Sequence, residues 1–161
     1  MNTEVAIFAS GCFWGTEFYF QKAEGVISTA VGFAGGSVAN PTYEQVSSGG
    51  TGHAEATEVI YDPAKTSYEK MVKLFYETHD PGQLGRQGPD IGTQYRSAIF
   101  YLNEKQKVIA QKVTEQLKGM GHKVVTEITQ AGPFYKAENY HQQYYSTGGG
   151  IPYCHMYVQK F

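Results

Sequence analysis

Short apolar runs alternate with helical-period segments in one particular order along this chain. That order constrains the fold more than any other feature of the sequence. "EVAIFAS" (Glu4–Ser10) predicts a buried strand, because an unbroken apolar run of that length suits a strand covered on both faces. Gly11 turns the chain, and a helix is expected over residues 12–23, ending near Gly25. "VISTAVGFAGG" (26–36) and "HAEATEVIYD" (53–62) read as strands, the second stopped by Pro63. Within "SYEKMVKLFYETH" (67–79), Tyr68, Met71, Val72 and Phe75 recur at the spacing of one helix face. "YRSAIFYL" (95–102) predicts a strand, residues 103–118 a helix and "HKVVTEIT" (122–129) a further strand. The order β-α-β-β-α-β, followed by α-β, is the split βαβ or ferredoxin-like pattern with an addition. The expected class is α+β: a single-domain α/β sandwich over residues 1–161, with helices packed on a mixed sheet. At 161 residues, one domain with its own core is the default.

Any site must come from what lies between these elements. "SVANPTYEQVSSGGTG" (37–52) and "DPGQLGRQGPDIGTQ" (80–94) read as long loops, and loops of that length inside a compact domain tend to be functional. Residues 131–161 read as an irregular, aromatic tail, with a candidate helical turn at "ENYHQQYY" and a flexible stretch at "STGGGIPYC". A net charge of −2 and a pI near 6.2 argue against nonspecific nucleic-acid binding and against a polybasic membrane surface. No apolar run is long enough to span a bilayer, and the first ten residues lack the basic start and apolar core of a secretory signal. The expected setting is cytoplasmic, and the chain is expected to act as a monomer. Thirteen tyrosines suit either a partly wet binding surface or a Tyr-rich core rim.

"SGCFWGTEF" (10–18) holds the only tryptophan and one of the two cysteines. Two cysteines make no disulfide framework, and no CxxC pair is present. Cys12 stands where a helix begins, and unsatisfied N–H groups and the helix dipole there stabilise a thiolate. The same position also suits a buried, inert thiol. Phe13 and Trp14 are neighbours, so a regular helix points them apart. They serve as core packing or, at a frayed first turn, as the walls of a shallow pocket.

"GCFWG" (11–15) resembles the signature of the peptide methionine-S-sulfoxide reductases. "GFAGG" (32–36), "NPTYEQV" (40–46), "TGHAEATEV" (51–59) and "DIGTQYRSAIFY" (90–101) match that family in order and spacing. The resemblance runs from about Val5 to Tyr145. It implies a thiol-dependent reduction of methionine S-sulfoxide, free or in proteins, with Cys12 as nucleophile passing through a sulfenic acid. It implies that Phe13 and Trp14 hold the S-methyl group and that Tyr43 and Tyr95 donate hydroxyls to the oxygen. Glu55 is implied as the proton donor, which requires burial to raise its pKa. Strand alternation supports that choice a little, since Glu55 and Glu58 lie on opposite faces. Asp90 matches an aspartate that orients Tyr95, Cys12 or a water; Pro89 departs from an asparagine frequent before it. His53 is expected to be structural and Arg96 to pair with a carboxylate. The resemblance also implies that Cys154 resolves the sulfenic acid as a Cys12–Cys154 disulfide, which thioredoxin reduces.

Two other classes stay open on the residues alone. A cysteine hydrolase or acyltransferase would use Cys12, a histidine such as His53 and a carboxylate. A binding module would use the aromatic residues and leave Cys12 dispensable. No metal or cofactor is expected, since Cys154–His155 and the scattered histidines match no usual ligand spacing.

Overall fold

The computed structural model describes residues 2–145, 155 and 157–161, leaving out Tyr140's side chain. The main elements follow the predicted order: β1 (Glu4–Ser10), α1 (Phe13–Gln21), β2 (Val26–Ala34), α2 (Tyr43–Ser47), β3 (Ala54–Tyr61) and α3 (Tyr68–Glu77). Then come β4 (Arg86–Gln87), β5 (Asp90–Ile91), β6 (Ser97–Tyr101), α4 (Glu104–Gly119), β7 (Glu127–Gln130) and β8 (Tyr135–Lys136).

Six strands form one sheet in the order β7-β6-β1-β3-β2-β8. β1 is antiparallel to both β3 and β6, and β2 is antiparallel to β3. Each crossover of the core therefore leaves room for one strand between its two ends: β3 lies between β1 and β2, and β1 lies between β3 and β6. This is the split βαβ arrangement, and the α+β expectation holds. β7 adds in parallel beside β6 through α4, and β8 pairs briefly with the outer edge of β2.

β1 is buried on both faces, as its continuous apolar run requires. Ala6 and Phe8 join the larger cluster with Val59, Tyr61 and Ile99 of the sheet and the inward faces of α1, α3 and α4. Phe8 stacks on Phe20, Tyr68 and Phe75 at centroid distances of 5.3, 6.0 and 5.2 Å. Truncating Phe8 to Ala would cost about 3–5 kcal/mol. Ile7 and Ala9 face the opposite layer, where Ala54, Ala56, Ala98 and Phe100 pack beneath Ala131 and Phe134. Ser67 and Asn103 cap α3 and α4 by accepting from Lys70 N and Gln106 N.

Three predicted segments differ. The 37–52 loop contains α2, nucleated by a capping box in which Thr42 and Gln45 satisfy each other's backbone N–H. The 80–94 loop contains the β4–β5 hairpin and a 3₁₀ turn at Thr93–Tyr95. The last strand begins at Glu127 rather than residue 122, because Val125 N bonds to Pro81 O and Thr126 Oγ1 meets Ser97 Oγ instead of extending the ladder. A 3₁₀ turn at Asn139–His141 lies within the candidate helical stretch of the tail. The predicted flexible stretch, residues 146–154, lies wholly outside the described residues. Among the described residues no helix is long and apolar enough to cross a membrane.

Candidate active site

The site forms at one end of the sheet, where β1 and β2 finish and β3 and β6 begin. Gly11 makes the exit from β1 with φ of +97°, which L side chains avoid, and a Cβ there would lie 2.6 Å from Gln87 Cβ. Cys12 follows as the N-cap of α1, and its carbonyl accepts from Gly15 N and Thr16 N. The thiol side chain is buried, with 5% exposure.

Glu55 lies opposite Phe33 in the β2–β3 ladder, on the sheet face that meets α1. It is 1% exposed, and Oε1 accepts the N–H of Phe13 at 3.2 Å. The carboxyl group thus caps α1 one residue beyond Cys12. Oε2 is buried without a hydrogen-bond partner among the described residues. Burial first, then charge on Cys12, push the Glu55 pKa well above 4.5; the Phe13 N–H opposes this, and Asp90 raises it further.

Tyr43 opens α2 and is held through its backbone N–H by Glu138 Oε1 at 3.3 Å. Tyr95 ends the 3₁₀ turn before β6. Burial, together with the Glu55 charge, raises the pKa of both phenols, that of Tyr43 to about 12. Both hydroxyls are therefore protonated donors across the neutral range. Asp90 sits half-buried in the hairpin, opposite Gln87, with Gly88 and Pro89 forming the turn between them. Pro89 is thus accommodated in the turn itself. Asp90's charge reaches Glu55 and Tyr95.

Phe13 is wholly buried, while Trp14 is half-buried. The two rings diverge as helix geometry requires, with centroids 6.4 Å apart. Tyr43 and His141 fill the wedge between them, each touching both rings. Trp14 Nε1 donates to His141 Nδ1 at 3.1 Å, and His141 Nε2 lies 3.3 Å from Glu138 Oε2. Tyr144 stacks on Trp14 with centroids 4.0 Å apart and planes 9° from parallel.

The structure thus brings Cys12, Phe13, Trp14, Tyr43, Glu55, Asp90 and Tyr95 together from five separate segments. Cys154 lies outside the described residues. Its neighbour His155 is buried, donating from Nε2 to Ser10 O at 2.6 Å. The His155 ring fills the space beside Gly15, where a Cβ would come within 2.9 Å of ring carbon Cε1. Gly15 is small because that ring is there. Burial lowers the His155 pKa to about 4.

His53 is structural. Nδ1 accepts from Gly36 N at 3.0 Å, so Nε2 donates to Val38 O at 2.7 Å, which ties the end of β2 to the following loop. Arg96 bridges Glu127 and the carbonyls of Thr93 and Gly52. Sequence reasoning missed His141, Glu138, Tyr144 and His155. Their partners are more than a hundred residues away or on other elements; only the aromatic density of "ENYHQQYY" hinted at the first three, and nothing local pointed to His155.

A family model described as "Peptide methionine sulfoxide reductase" matches residues 4–161. "Peptide methionine sulfoxide reductase MsrA" of Nautilia profundicola is 51% identical over 153 residues, covering 95% of this chain and 88% of that protein. Among solved structures, reduced Mxr1 from Saccharomyces cerevisiae superposes with a TM-score of 0.91 at 31% identity, covering 99% of this chain and 93% of Mxr1. Methionine sulfoxide reductase A of Corynebacterium diphtheriae gives 0.83 at 40% identity, with 94% and 78% covered. Mxr1 has also been solved in complex with Trx2. With the matching model spanning both the sheet and the Cys12 site, this chain belongs to the peptide methionine sulfoxide reductase family and is an oxidoreductase.

Proposed function

We propose that the chain reduces methionine S-sulfoxide, free and in proteins, through a sulfenic acid on Cys12. The observation that carries this reading is the pairing of Cys12 with Glu55, a carboxyl group buried beside the thiol, whose burial and the Cys12 charge push its pKa up. Cys12 attacks the sulfoxide sulfur. Glu55 delivers a proton to the oxygen, and the Tyr43 and Tyr95 hydroxyls stabilise charge that develops there. The methionine sulfur gains two electrons, Cys12 loses two, and the oxygen ends on Cys12 as sulfenic acid. Phe13 and Trp14, with Tyr43 packed against both rings, form the apolar wall that receives the S-methyl group, and Asp90 orients Tyr95, Cys12 or a water. Cys154 then attacks the sulfenic sulfur, forming the Cys12–Cys154 disulfide and releasing water. Thioredoxin exchanges its dithiol for that disulfide; the solved complex of the relative Mxr1 with Trx2 supports naming it. The setting remains cytoplasmic and the active unit a monomer in this reading.

The test is a rapid quench of the Cys154→Ser variant without reductant. One methionine per enzyme is expected, with the Cys12 thiol converted to a species that dimedone labels. No methionine, or methionine without labelling, would overturn the route.

A further inference from the structure

Glu17 is a buried acid that the proposed chemistry does not use. It lies on α1, one turn beyond Cys12, and is 1% exposed. Three donors converge on its carboxylate: Thr29 Oγ1 at 2.8 Å, Gln143 N at 2.7 Å and Gln143 Nε2 at 3.0 Å. Burial raises its pKa, while the hydrogen bonds from Thr29 and Gln143 and the charge of Lys136 hold it down. Gln143 has φ of +58°, the left-handed region that a long side chain rarely adopts. The next residue is Tyr144, whose ring covers Trp14. On the other side Gln142 is fixed by both backbone groups of Val31, with Oε1 accepting from N and Nε2 donating to O, each at 2.8 Å. A buried carboxylate thus holds an unfavourable backbone turn, and that turn sets where the Tyr144 ring lands.

We propose that Glu17 is a positioning residue that fixes the face Trp14 presents to substrate, acting through Gln143 and Tyr144. The proposal deepens the reductase reading and rests on it. Replacing the carboxylate by an amide turns one acceptor into a donor facing donors. Gln143 then relaxes from its left-handed conformation and Tyr144 leaves Trp14.

Trp14 is the only tryptophan, so intrinsic fluorescence reports on this stack directly. Glu17→Gln is expected to shift Trp14 emission. It is expected to raise KM for a methionine sulfoxide peptide about tenfold while kcat changes much less. Thr29→Val removes one of the three donors and is expected to give the same shifts in smaller measure; it also serves if Glu17→Gln fails to fold. Unmoved emission, or unmoved KM with a lowered melting temperature, would overturn the role of Glu17. Absence of methionine formation by the wild-type protein would overturn the reductase reading instead, while the emission comparison would still test the Glu17–Trp14 coupling.

Discussion

Glu55 is where a single residue's environment decides the chemistry. Its carboxyl group is removed from water and placed beside the Cys12 sulfur, so its folded-state pKa is raised above its unfolded value. Such a group contributes stability that is fully present below the unfolded pKa and is lost as pH rises through the folded pKa. The wild-type melting temperature should therefore fall relative to Glu55→Gln as pH is raised from about 5 to 8, at about 1.4 kcal/mol for each pH unit over which Glu55 stays protonated when folded and ionised when unfolded. Differential scanning calorimetry across that range checks it. The same substitution should slow methionine release in a single turnover by about a hundredfold or more. It should also remove the decline in rate at high pH that ionisation of Glu55 predicts for the wild type. A variant that keeps both the wild-type rate and the wild-type pH profile would take the proton-donor role away from Glu55.

At the scale of elements, α1 carries the site. Its first turn presents Cys12, Phe13 and Trp14, its second holds Glu17, and its N-terminal N–H is capped by Glu55 from β3. Gly15 gives the chain's last residues a place to dock, because the His155 ring lies where a Cβ would stand. Gly15→Ala should displace that ring and destabilise the fold by about 1–3 kcal/mol, measured by urea denaturation. Since His155 follows Cys154 directly, thioredoxin-driven turnover should fall more than dithiothreitol-driven turnover in the same variant. Much of this was legible beforehand. The apolar run of β1, the helical spacing in α3 and the GCFWG motif are local signals, and each corresponds to its element. Glu55 was legible through its motif and through strand alternation. The α2 capping box was present as Thr42 and Gln45 but lay inside a Gly-rich stretch that read as loop. His141, Tyr144 and His155 were not legible, because each is defined by a partner far along the chain and carries no periodicity of its own.

For the whole molecule, the sheet brings five segments to one end, and His141 and Tyr144 of the tail pack against Phe13, Trp14 and Tyr43 there. His141, Gln142 and Gln143 clasp the stretch before the glycines, and His155 and Lys160 anchor the chain beyond them, Lys160 Nζ donating to Tyr76 O at 2.6 Å. Cys154 lies between these two anchored stretches in sequence. Cys154→Ser should accordingly abolish steady turnover with thioredoxin while a monothiol-accessible route persists, which a coupled thioredoxin reductase assay reads directly. Equal thioredoxin turnover in variant and wild type would remove Cys154 from the cycle. The central claim is that this site transfers the oxygen of methionine S-sulfoxide to Cys12. Its most direct test is an epimer-resolved methionine sulfoxide assay on the wild type and Cys12→Ser. The S epimer should be consumed and methionine formed by the wild type alone, with the R epimer untouched. Methionine formation by Cys12→Ser, or consumption of both epimers at equal rates, would contradict the account.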